Sequence, residues 1–124
     1  MILIRATDNY RANLESIEAY WDSCLFPAGQ GKLLTELATT TLVHLRAHPR
    51  MGRNFLQRQP VSVDSATRAQ KLDALLRTLH TDAGRAEVRE YVMTDYLLLY
   101  ALVGEVIYLL AIKHHKQLSF DVDL

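Results

Sequence analysis

The densest run of side chains able to carry a proton or hold an anion is Lys113-His114-His115-Lys116, at the end of a long apolar stretch. Imidazole titrates near neutral pH and ammonium groups neutralise phosphate oxygens, so the run suits proton transfer or an anionic contact. It reads equally as an ordinary strand end with a solvated face. His44 and His48 are four apart, a spacing that puts two imidazoles on one helix face within reach of a metal. Leu45 and Arg46 follow His44 where a metalloprotease motif needs Glu, and nothing else converges on the pair. A solvated His44 and a His48 favoured by the helix C-terminal dipole are the better reading. Arg50 and Arg53 either meet a partner or satisfy carbonyls at a helix end. Cys24 is the single cysteine, which rules out an internal disulfide and a thiolate zinc site. Glu87 with Glu90, and Asp121 with Asp123, form no evident acid pair. Trp21 and the tyrosines sit at helical or strand spacing and read as core. No cofactor is called for.

One domain has to position these groups. A chain of 124 residues supports one hydrophobic core, and 49% hydrophobic residues exclude wholesale disorder. Fourteen Lys and Arg balance fourteen Asp and Glu. Proteins that live on nucleic-acid phosphates usually carry a basic excess, so any such contact here is local. Zero net charge also lowers colloidal protection and suits a chain held by a partner. Met1-Ile2-Leu3-Ile4 meets Arg5 and Asp8, too short an apolar run for a signal peptide, so a cytoplasmic protein is expected.

Residues 2–6 read as a short opening strand. Thr7 offers a helix N-cap, and Tyr10, Leu14, Ile17, Trp21 and Leu25 follow at alternating spacings of four and three, one face of a helix. Pro27, Gly29 and Gly31 break it. A second helix is expected over 32–47, stopping at His48-Pro49. Residues 49–63 read as a basic loop holding Arg50, Arg53 and Arg58. Asp64 or Ser65 caps a third helix over about 64–80, with Leu72, Leu75, Leu76 and Leu79 as its stripe. From Glu87 the pattern changes to strands over 88–93, 96–103 and 106–114. The expectation is α+β: an N-terminal strand, a helical hairpin, an inserted helix, then a three-stranded antiparallel meander forming a small twisted sheet.

Residues 96–112 hold Glu105 as their only charge and approach the length of a membrane span. Gly104-Glu105 splits them into two strand-length runs rich in Tyr, Val and Ile, and a Gly-first pair between such runs signals a II′ hairpin, so no membrane span is expected. With that loop, Leu99 faces Leu110 and Tyr96 faces Lys113. Tyr96, Leu98, Tyr100, Ile107, Leu109, Ala111 and Lys113 then share one face, and Leu97, Leu99, Ala101, Tyr108, Leu110, Ile112 and His114 the other. Both faces are largely apolar, so the second needs cover from the inserted helix or from another chain.

His48-Pro49-Arg50-Met51-Gly52-Arg53 after a second helix is similar to the Pro-x-x-Gly-Arg corner of the RelE/ParE superfamily of toxin–antitoxin toxins. Arg89-Glu90-Tyr91, Asp95-Tyr96-x-x-x-Tyr100 and Gly104-Glu105-Val106-Ile107-Tyr108 resemble its core strands, and Ile112-Lys113-His114-His115-Lys116 resembles the closing pattern of ParE-type members. The resemblance covers roughly 1–56 and 87–117 and makes 57–86 an insertion in a single domain. The chain departs from the family at Leu97, where Arg is frequent, at Ala101, where a basic or polar residue is common, and in its neutral charge.

A RelE-type toxin is a ribosome-dependent mRNA endonuclease. RNA cleavage by internal attack needs a base for the 2′-hydroxyl, a stabiliser of phosphorane charge and an acid for the leaving oxygen. For that chemistry the candidates are Arg89, Lys113, His114, His115 and Lys116, while Phe120 stands where a hydroxyl would be wanted. The ParE-type reading asks for no catalysis: such toxins poison DNA gyrase by binding and are neutralised by a cognate antitoxin whose helix or strand lies across an exposed groove. Its partner-binding candidates are Arg50, Arg53, Arg89, Tyr96, Tyr100, Lys113, His114 and Lys116. The ParE-like branch is favoured, as a homodimer or a toxin–antitoxin hetero-oligomer in the cytoplasm. The alternatives are the mRNA endonuclease, with ribosome and mRNA as partners, and a regulatory or structural domain that has lost toxicity.

Overall fold

The computed structural model describes residues 1–55, 70, 74–77 and 86–116. Strand β1 (Leu3–Ala6) passes into helix α1 (Asp8–Ser23) at Thr7, whose hydroxyl accepts the Tyr10 N–H at 3.2 Å, the cap expected from its side chain. The far end of α1 closes with a Schellman arrangement: Leu25 N–H reaches Asp22 O at 3.0 Å and Phe26 N–H reaches Trp21 O at 3.0 Å. Leu25 occupies the left-handed position there, with φ of 57°. Helix α2 (Ala28–Glu36) starts four residues ahead of the expected Lys32. Pro27 supplies the fixed φ that opens it, and Gly29, read from sequence as a breaker, lies inside it against the Trp21 ring.

The second helix is not continuous. A π-helical turn over Leu37–Thr41, where Leu42 N–H bonds Leu37 O, separates α2 from α3 (Leu42–Ala47). Thr39 donates to Thr35 O at 2.7 Å, the back-bonding that loosens a helical ladder. The stop before Pro49 falls where expected, with His48 N–H capping onto His44 O at 2.8 Å.

The sheet has five strands, in the order β1-β5-β4-β3-β2, with β2 at Arg53–Asn54, β3 at Glu87–Val92, β4 at Tyr96–Val103 and β5 at Val106–His114. This α+β sheet is mixed, and larger than the expected meander. β1 joins β5 in parallel, and β2 lies within the segment read as a loop. The β4–β5 hairpin turns at Gly104, whose φ is +60° while Glu105 stays at negative φ, as a II′ turn requires. Residues 96–112 are therefore strands, and among the described residues no helix is long and apolar enough to cross a membrane.

A β-bulge corrects the hairpin register. Val103 pairs with Val106 as expected, but between Leu99 and Tyr100 the partner advances by one, so Leu99 faces Ala111 and Tyr96 faces His114. Leu110 is the extra residue. From there onward every side chain of β5 changes face relative to the uninterrupted register: Ile112 joins the helix side and Ala111 the opposite side.

The helix side buries Tyr10, Leu33, Leu37 and Leu45 against Tyr96, Leu98, Tyr100, Leu102, Ile107, Leu109 and Ile112. The other face carries Val88, Leu99, Ala101, Leu110 and Ala111, and its cover comes from the chain itself: Leu75 and Leu76, in the helical residues 74–77, with Phe55 and Tyr108 at the margin. Each such leucine contributes roughly 2 kcal/mol by leaving water. The expected caps and ends of the inserted helix, the loop residue Arg58, Phe120 and the acidic tail at 121–124 lie outside the described residues.

β1 ends at Ala6 opposite Leu109, so the outward backbone groups of β5 beyond that row lack a strand partner. Polar side chains of α1 take its place. Thr7 donates to Leu109 O at 2.7 Å, Asn9 Nδ2 donates to Leu110 O at 2.8 Å, and Asn13 Oδ1 accepts the Ile112 N–H at 3.0 Å. All three are buried, and they satisfy a bulged strand that burial would otherwise penalise.

Candidate partner-binding site

The Pro49–Arg53 corner is built around one phenol. Tyr100, fully buried on β4, donates to Pro49 O at 2.8 Å and accepts the Gly52 N–H at 3.0 Å. Residue 52 has to be glycine: a Cβ there would stand 2.7 Å from the Tyr100 oxygen and 3.0 Å from Glu90 O. From β3, Arg89 threads beneath the corner and donates to Gly52 O at 2.7 Å and to Arg50 O at 3.2 Å. Arg89 is thus a brace whose guanidinium is largely enclosed.

Arg50 and Arg53 are different. Arg50 grips Glu87 with two nitrogens, at 2.9 and 3.1 Å, and Arg53 pairs with Glu90. Their side chains remain 66% and 47% exposed, against 19% for Arg89, so two guanidinium faces look outward from the sheet edge. The Arg50 hydrogen bond holds the Glu87 carboxyl below its usual range, with burial opposing and Arg89 assisting; the same bond raises Arg50. Three guanidinium groups against two carboxylates leave this corner with a positive excess inside a neutral chain.

The remaining candidates lie elsewhere. Tyr100 stands four positions along β4 from Tyr96, roughly 13 Å of strand. The bulge exchanges the faces of Lys113 and His114, reversing the sequence assignment of both. Lys113 is buried, opposite Leu97; burial pulls its ammonium below the usual range and Glu90 partly offsets this. His114 stacks edge-on against Tyr96, centroids 5.3 Å apart, and its Nδ1 accepts the Lys116 N–H at 3.1 Å. His115 folds back, its Nε2 3.0 Å from Tyr96 O and its N–H on Asp95 O. Tyr96 and Tyr100, expected on a partner surface, are both buried. Tyr96 takes the Trp21 Nε1–H at 3.0 Å, and burial raises its phenol.

The structure therefore assembles Arg50, Arg53 and Arg89, with Lys113 coupled to the corner through the charge of Glu90, and leaves His114, His115 and Lys116 apart from them. The carboxylates of Glu87 and Glu90 complete the corner; in sequence they form no evident acid pair, because their i, i+3 spacing does not reveal that β2 pairs back onto β3. Among the described residues no three His, Cys, Asp or Glu side chains gather as a metal would need, and His44 Nδ1 sits 3.3 Å from the Tyr91 hydroxyl. No protein-family model matches the chain, and no curated protein matches it.

Proposed function

We propose that the protein is the toxin of a type II toxin–antitoxin module, a cytoplasmic inhibitor that binds DNA gyrase and is neutralised by a cognate antitoxin. The observation that carries this reading is the division of labour among the candidates. The residues of the Gly-Arg corner, with Arg89 and Tyr100, make one hydrogen-bonded unit that turns two guanidinium groups outward. Of the groups that RNA cleavage would need to combine, Lys113 lies on the face opposite His114 and Lys116, and Arg89 is committed to backbone carbonyls. A rigid edge with outward arginines suits an acidic partner surface through charge-assisted, bidentate contacts, and an acidic antitoxin segment would compete for the same edge.

The reading predicts that inducing the free protein in bacteria arrests growth and that co-expressing a small acidic antitoxin encoded beside it restores growth. Arg50→Ala weakens the arrest in a graded manner. Normal growth alongside soluble, folded protein would favour a non-toxic scaffold. Arrest accompanied by ribosome-dependent mRNA cutting that His114→Ala abolishes would assign the endonuclease instead.

A further inference from the structure

On the helix side, at the opposite end of the sheet from the arginine corner, a cleft of about 480 Å³ opens between α1 and the end of β5. Its wall is aromatic: Tyr20, Trp21, Tyr96 and His114 line it, with Asn13 deep inside and Lys116 as its cation. Among the described residues no carboxylate lines it.

The rings are held in advance of any ligand. A Cβ on Gly29 would fall 2.3–2.7 Å from three Trp21 ring atoms, so the backbone of α2 lies directly on the indole. Phe26 and Tyr20 pack edge-on against it, centroids 5.8 and 5.1 Å away, and Nε1 is tied to the Tyr96 oxygen at 3.0 Å. Tyr96 is 5% exposed and uses its oxygen as the acceptor for Trp21; its own O–H has no acceptor among the described residues. Burial keeps that phenol protonated, so it remains a donor.

A fixed aromatic wall recognises a planar ring, a buried hydroxyl donor recognises an acceptor on it, and a lysine without carboxylates nearby in the lining recognises an anion. The volume suits one compact molecule, whereas a peptide strand would require an extended groove. We propose that this cleft binds a nucleoside monophosphate, its base against Tyr20 and Trp21 and its phosphate at Lys116. The site is separate from the arginine corner and independent of the gyrase reading.

Trp21 is the only tryptophan of the 124 residues, so this chain has a single indole N–H signal, inside the cleft. Titrating the ¹⁵N-labelled protein with AMP, GMP, CMP and UMP is expected to move that signal saturably for at least one of them. Lys116→Ala should weaken the nucleotide roughly fivefold while leaving the matching nucleoside unchanged, the size of one exposed ionic contact. Tyr20→Ala, at a half-exposed position that does not threaten the fold, should weaken both. Three results overturn the proposal: no saturable shift with any of the four, equal response to inorganic phosphate, or affinities unchanged in both variants.

Discussion

Replacing Tyr100 by Phe removes one oxygen and leaves the ring in place. That oxygen donates to Pro49 O and accepts from Gly52 N–H, and Tyr100 and Gly52 are both buried. Two hydrogen bonds contribute about 1 kcal/mol each, and the buried Gly52 amide left unpaired raises the cost to about 2–3 kcal/mol. In a chain of this size that lowers the melting temperature by roughly 10 °C. Urea denaturation followed by far-UV circular dichroism should show a lower midpoint at unchanged slope. Hydrogen exchange should accelerate at Gly52. Because Arg89 is anchored on Gly52 O and Arg50 O, partner binding should fall even where the variant is fully folded. Tyr91→Phe is the control, since among the described residues its hydroxyl meets only the exposed His44, at 3.3 Å, and it should cost under ~0.5 kcal/mol. A Tyr100→Phe midpoint matching that control would refute the phenol as the pin of the corner.

Asn13→Ala strands the Ile112 N–H beside the bulge and is expected to cost about 1–3 kcal/mol, with faster exchange at Ile112; protection at the wild-type level would show that α1 does not replace a strand there. Thr41 is completely buried in the π-helical turn and its hydroxyl has no partner among the described residues, so Thr41→Val should raise stability by about 1 kcal/mol, and a loss of similar size would give that hydroxyl a structural role. Burial pushes the Tyr10 phenol from 10.0 up to about 12. The folded value lies above the unfolded one, so the contribution is complete below pH 10 and is lost as pH rises towards 12, by at most about 2–3 kcal/mol. Tyr10→Phe should flatten that alkaline limb, and an unchanged limb would assign it to other tyrosines.

Much of the architecture can be read from periodicity and turn chemistry. Thr7, the His48-Pro49 stop and the Gly104-Glu105 turn act within a few residues of themselves, and each sits where its side chain or backbone freedom dictates. Long-range features leave weaker marks. The bulge at Leu110 costs no polar signature in β5, because Leu110 and Ala111 are both apolar and share one face; its trace is in α1, as Asn9 and Asn13, which a helix otherwise has no reason to bury. The two-residue β2 is too short for any pattern, and only its pairing with Glu90 and Arg89 makes it a strand. Gly29 resembles a breaker in sequence because its role is steric, set by Trp21 across a turn. The site was legible in the same uneven way. Arg50, Arg53 and Arg89 come together at one edge of the sheet, whereas the faces of Lys113 and His114 depend on a one-residue slip that sequence alternation cannot register.

The most direct test of gyrase inhibition is a supercoiling assay with purified DNA gyrase and this protein. A gyrase inhibitor should cause a dose-dependent loss of supercoiling with accumulation of cleaved DNA, weakened severalfold by Arg50→Ala and relieved by a cognate antitoxin. Undisturbed supercoiling from a preparation that still arrests growth would contradict it.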